Sequence, residues 1–148
     1  AMLQAANLAG KAINITKTTA PHALSYYFTS HHDVPHGHAV ALTLGPILEF
    51  NSEVTDSDVN DPRGAPYVRE RIESLYSLLG VSDSTSARSR IQSILQSLNL
   101  ESSLSELGIE LEEECDSIVN SVNYERLKNN PRRFTEEALG SILRSIAA

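Results

Sequence analysis

The stretch "TTAPHALSYYFTSHHDVPHGHAVALTLGPILEF", Thr18 to Phe50, contains all five histidines of the 148-residue chain, between His22 and His38. Pro21 suits the first turn of a helix, where a missing N–H leaves no bond unmade. Beyond it, Ala20, Leu24 and Phe28 mark an apolar ridge, while His22, Ser25, Tyr26 and Thr29 recur at i, i+3, i+4 and i+7 on a separate polar ridge. Pro35 disfavours the α region for the residue before it, so "HDVPHG" breaks this helix and the next starts around His36. That helix is apolar nearly all round, which predicts a buried position. Its apolar run, Ala39 to Phe50, is too short to span a bilayer and carries Pro46 in its middle.

The pattern on either side of this stretch is also helical. Leu3 to Ile13 is Ala-rich and ends at "NITKTT", whose Asn14 and threonines favour a loop. "NSEVTDSDVNDPRGAP", Asn51 to Pro66, is the clearest loop, a solvated connector or a hinge. Val68, Ile72, Leu75 and Leu79 then form a stripe closed by Gly80, and Ile91, Ile94, Leu95 and Leu98 form another. "SSLSELG" reads as one helical turn with a C-terminal glycine. Cys115, Ile118, Val119 and Val122 make a stripe behind the acidic run Glu110 to Glu114, which suits a solvent-facing helix start. Thr135 caps a last helix that contains Leu139, Ile142, Leu143 and Ile146. Sustained period-2 alternation occurs nowhere. The expected fold is all-α, a single multi-helix domain over residues 1–148 with seven or eight helices.

Composition excludes several functions. A net charge of −7 with scattered Lys and Arg argues against nucleic-acid binding, which needs clustered cations against phosphates. A single cysteine, Cys115, allows no internal disulfide and fits a reducing cytoplasm; it is expected in the core. No signal peptide or membrane span is present in the pattern. The helical pattern starts at the first residues without a polar lead-in or cap, as expected of a piece of a longer chain.

Crowding five imidazoles into one stretch points to metal chemistry, because imidazole is the common ligand of zinc, iron(II), copper and nickel. His22 lies in the first turn of one helix and His36 at the start of the next. At a helix N-terminus the macrodipole disfavours imidazolium, and a metal ligand must be neutral. Two histidines are not a complete centre, and no HExxH or CxxC pattern supplies the others. His31 and His32 are adjacent and cannot both point with His22. The competing readings are a helical interaction module whose histidines are structural and a small metal-storage protein.

From Ala5 to Asn51 the sequence resembles the metal-dependent half of the iron-containing (group III) alcohol dehydrogenases. The resemblance is carried by the histidine of "TTAPHALSY", by "PHGHA" with its histidine fourteen residues later, and by the helix beyond it. The closing "NNPRRFTEEALGSILRSIA" is similar to that family's C-terminal helix. The resemblance implies the fold of the C-terminal domain of the iron-containing alcohol dehydrogenase and dehydroquinate synthase-like proteins, without the N-terminal dinucleotide-binding domain. It also implies a divalent metal, iron(II) with zinc as the alternative, that sits between the two domains and polarises a substrate oxygen during hydride transfer with NAD(P). By position, His22 and His36 match two of the family's three histidine ligands. The remaining histidine and an aspartate belong to a D-x-x-x-H helix that would precede Met2.

Many relatives carry another histidine four residues after the first; here Tyr26 stands in its place, as a candidate catalytic residue that lines the pocket or passes a proton. His38 is the second catalytic candidate. The substrate that the resemblance implies is a small alcohol or aldehyde. The wording "AINITKTTAPHA" is most similar to the branch that reduces phosphonate aldehydes, with Lys17 as a candidate for the anionic head group or a solvated loop residue. The 148 residues alone are expected to be inactive, and apolar surface left by the absent domain is expected to favour self-association.

Overall fold

A computed structural model describes residues 1–148 and contains eight helices and no strand. In chain order these are α1 (Met2–Ile15), α2 (Ala20–His32), α3 (His36–Ser52), α4 (Ala65–Leu79), α5 (Ser84–Ser97), α6 (Leu111–Ser121), α7 (Tyr124–Leu127) and α8 (Glu136–Arg144). The all-α expectation holds.

The central hairpin is made by local chemistry. Pro21 occupies the first turn of α2, and Asp33 ends it in the left-handed region at φ 53°, with its N–H donated to the Phe28 carbonyl. Asp tolerates that conformation better than most residues because its short polar side chain bonds locally. Pro35 is the N-cap of α3, so the two helices are joined by only three residues. The side of α2 bearing Ala20, Leu24 and Phe28 is fully buried, as its apolar ridge predicts.

Buried α3 packs against α2, α4, α5 and α8. At Gly45 a Cβ would stand 3.2 Å from Arg88 Cγ and 3.4 Å from Arg88 Cα, so the glycine is what lets α5 approach this closely. Around α3 the main core joins Phe28, Leu24, Ile47, Leu104, Ile109, Ile118, Leu139 and Leu143. A smaller core under α4 gathers Val54, Ala65, Val68, Ile72, Tyr76 and Ala87.

Several expectations are corrected. Leu75, Ile94 and Leu98 belong to helical stripes but are 45%, 41% and 62% exposed. With Leu44, Leu78 and Leu79 they border an apolar groove of about 480 Å³ between α3, α4 and α5. Periodicity identifies an apolar face; it does not say whether the chain supplies something to cover it. "SSLSELG" does form the single turn expected, closed by Gly108 at φ 73° with the Gly108 and Ile109 N–H groups donated to the Ser105 and Leu104 carbonyls, and the Leu104 and Ser105 N–H groups tie it to the Ile146 and Ala147 carbonyls.

The 53–64 loop is pinned rather than loosely solvated. Arg132 reaches Asp58 at 2.7 Å, Glu53 at 3.2 Å and the Phe50 carbonyl at 2.8 Å, and its guanidinium stacks 4.2 Å over the Phe50 ring. Val59 and Arg132 form an isolated antiparallel bridge. The short α7 has no apolar stripe to announce it. It exists because the Asn123 side chain accepts from the N–H groups of Glu125 and Arg126.

Helix α1 differs from the rest. It has no buried residue and contacts no other element, leaving Met2, Leu3 and Ile15 more than four-fifths exposed. No helix is long and apolar enough to cross a membrane.

Candidate functional site

The α2–α3 hairpin brings together two residues that are fourteen apart in sequence. The His22 and His36 rings lie 5.4 Å apart between centroids, crossing at 62°, and the Tyr26 ring lies 5.8 Å from His36. His22 is half-buried, whereas His36 and Tyr26 are exposed. The cluster is therefore anchored on the domain and open on one side.

A buried serine determines how the imidazoles are presented. Ser25 is fully buried, and its hydroxyl donates to the His22 carbonyl at 2.9 Å. With its only proton engaged, Ser25 Oγ accepts from His36 Nδ1 at 3.2 Å. A neutral His36 with its hydrogen on Nδ1 has a free lone pair on Nε2. Orientation by an oxygen acceptor on the other ring nitrogen is what a metal-binding histidine requires.

Electrostatics favour the same state at His22. Burial, and then the neighbouring His36, push the His22 pKa below 6.5. Its place in the first turn of α2 acts in the same direction. A neutral His22 suits a divalent cation. Two imidazoles provide only part of a shell, and no group of three or more His, Cys, Asp or Glu in the chain could hold a metal by itself. The pair thus fits a shared site that another segment completes.

The other histidines are not brought to this cluster. His38, a candidate catalytic residue, is buried on another side of α3, where its Nε2 donates to the Glu101 carbonyl at 2.7 Å. Two positions along a helix turn a side chain well away from its neighbour, so His36 and His38 cannot share a face. His31 stacks on Tyr27 with centroids 4.3 Å apart. His32 meets Glu114 at 2.7 Å, and Glu114 also accepts from the Tyr27 hydroxyl at 3.0 Å. This ties α2 to α6, so Glu114 leaves the solvent-facing role expected of the acidic run. Burial, followed by the Glu114 contacts, raises the Tyr27 pKa. Cys115 is only partly buried at the edge of the main core.

Two residues near the pair were not singled out by the sequence. Ser25 was visible as a member of the polar ridge, but its link to His36 depends on the hairpin. Arg126, on α7, holds its guanidinium 4.7 Å from the centre of the Tyr26 ring. No local pattern connects position 126 with position 26. Lys17 is exposed, in the segment between α1 and α2.

Comparison with known proteins identifies the family of the chain. Residues 1–147 match the family described as "Fe-containing alcohol dehydrogenase family, C-terminal". The phosphonoacetaldehyde reductase of Streptomyces viridochromogenes is 34% identical over 148 residues, covering 97% of this chain and 35% of that protein. Among solved structures, sulfoacetaldehyde reductase from Bifidobacterium kashiwanohense, in complex with NAD+, is similar with a TM-score of 0.66 and 25% identity, over 89% of this chain and 31% of that one. An iron-containing alcohol dehydrogenase from Corynebacterium glutamicum shares the fold with a TM-score of 0.62 and 23% identity, over 88% of this chain and 32% of its own. The chain thus spans about a third of the length of these relatives.

Proposed function

The chain belongs to the iron-containing alcohol dehydrogenase family through that family's C-terminal domain, and from this premise we propose that it forms the metal-holding half of an NAD(P)-linked aldehyde reductase. The substrate is a small aldehyde or alcohol, with a phosphonate aldehyde as the favoured case. The reading rests on one observation: the His22 and His36 rings meet at 5.4 Å, with the Ser25 hydroxyl 3.2 Å from His36 Nδ1. A nucleotide-binding domain on the N-terminal side completes the site with the remaining ligands.

When bound, a divalent cation, iron(II) or alternatively zinc, polarises the substrate oxygen, and the nicotinamide supplies or accepts the hydride. The chain's own contribution is to bind and orient. His22 and His36 present their imidazoles side by side, and burial favours the neutral, metal-binding form of His22. Ser25 keeps the hydrogen of His36 on Nδ1, so Nε2 faces outward. Tyr26 lines the substrate side with its ring and places a phenol where a proton can pass between substrate and solvent. His38, bonded to the Glu101 carbonyl, positions the start of α3 instead of touching substrate. In a reducing cytoplasm Cys115 remains a free thiol. The 148 residues alone do not turn over, since a hydride donor needs the other domain.

Metal analysis of the complete protein tests the proposal. Wild type is expected to carry about one equivalent of a divalent cation, and His22→Ala and His36→Ala are each expected to lose it. Unchanged metal content in either variant favours instead a helical interaction module with structural histidines.

A further inference from the structure

Resting on the aldehyde-reductase reading, we propose that Arg126 is the specificity residue of this site and binds the oxyanion head group of a short anionic aldehyde beside the His22–His36 pair. Six of the nine guanidinium groups are engaged, Arg69 and Arg133 by the carbonyls of Val54 and Ser57, which leaves Arg90, Arg126 and Arg144, and of these three only Arg126 lies against Tyr26. Arg63 pairs with Asp61, Arg71 with Glu70, Arg88 with Glu49, and Arg132 with Asp58 and Glu53. Arg126 has no ion pair and no side-chain hydrogen bond, although it lies on a fixed backbone. Its N–H is held by Asn123, and Leu127 next to it is 3% exposed. Neighbouring Glu125 is engaged by Lys128.

The location gives this free charge a use. The guanidinium stands over Tyr26, and Tyr26 adjoins His36, so a single aromatic ring separates a fixed cation from the imidazole pair. Stacking holds the guanidinium plane and leaves its edge N–H groups for a bidentate oxyanion. An anionic head group calls for a local positive charge. Lys17 is the competing cation, exposed as Arg126 is, but it is Arg126 whose charge stands over Tyr26. The reductases to which the chain is similar are named for aldehydes that end in a phosphonate or a sulfonate, two head groups with the same tetrahedral oxyanion chemistry.

The test uses the complete enzyme with phosphonoacetaldehyde, sulfoacetaldehyde and uncharged propanal. Arg126→Met keeps the stem on Tyr26 and removes the charge. It is expected to lower the ratio of kcat/KM for the anionic aldehydes over propanal by about ten- to hundredfold, the loss expected for hydrogen bonds to a charged group. Arg126→Lys should recover part of the ratio, and Lys17→Met should not change it. A ratio unaltered by Arg126→Met, with all three substrates slowed alike, would leave Arg126 a packing residue and overturn the inference. Calorimetric titration with methylphosphonate and methanesulfonate needs no turnover and shows which head group is held. Binding that depends on Arg126 supports the inference even if no aldehyde is reduced, in which case the reductase reading fails alone. No binding, or binding equal in wild type and Arg126→Met, overturns it.

Discussion

Ser25 is the residue on which the presentation of the metal pair turns. It is fully buried between two helices, and its hydroxyl passes the direction of one hydrogen bond, to the His22 carbonyl, on to the tautomer of His36. Ser25→Ala should therefore leave the helices folded and weaken metal affinity by about ten- to hundredfold, the usual effect of losing an outer-shell partner. Competition with a chelator of known affinity reads this directly, and an affinity equal to wild type would remove the serine from the site. Asn130 shows the structural side of the same chemistry. It is fully buried, exchanges bonds with Asn51 at 2.6 and 3.3 Å, and donates to the Arg132 carbonyl at 2.7 Å. Asn130→Ala strands the Asn51 amide and the Arg132 carbonyl, and should cost about 3 kcal/mol in urea unfolding, near the upper end for buried polar groups left without partners.

At the scale of elements, α5 separates two kinds of apolar residue that a sequence stripe treats alike. Leu95 is 5% exposed and Leu98 is 62% exposed. Leu95→Ala should destabilise the domain by about 2–5 kcal/mol, whereas Leu98→Ala should stay within about 0.5 kcal/mol, measured by the same unfolding transition. The 53–64 loop adds a pH dependence. Burial raises the Asp58 pKa, but the Thr55 N–H and Arg132 outweigh it, holding the carboxyl below 3.8. A carboxylate with a depressed folded pKa contributes stability that is fully present above the unfolded value and is lost as pH falls through the folded one. Urea midpoints should thus drop below about pH 4, and Asp58→Asn should flatten that drop. An unaltered acid slope in the variant would mean that other carboxylates set it.

For the whole molecule, the unpartnered α1 is the main dynamic expectation. An isolated helix of 14 residues is marginal in water, and α1 has no buried residue to support it. Its amides should exchange with almost no protection in the 148-residue chain, while those of α2 and α3 exchange only on global unfolding. Protection in α1 equal to that in α3 would show that it packs on the domain after all.

Much of this was legible from local pattern. Pro21, Pro35, Gly80 and Thr135 punctuate the helices where a missing N–H, a positive φ or a side-chain oxygen is needed, so the all-α class and most boundaries come from residues within a few positions of one another. The histidine cluster is likewise written into positions 22 to 38, together with its resemblance to a known metal domain. Convergence was not. Whether His36 rather than His38 turns toward His22 depends on how α3 is rotated in the fold, where Gly45 faces Arg88 of α5 and the Glu101 carbonyl accepts from His38. Arg126 joins Tyr26 across a hundred residues, and the exposed Leu75, Ile94 and Leu98 were indistinguishable from core until the neighbours were known. Backbone propensity and periodicity act over one or two turns and are therefore carried by the sequence itself; which side chains meet, and which apolar faces remain open, is decided by packing between distant segments and appears only in the tertiary structure.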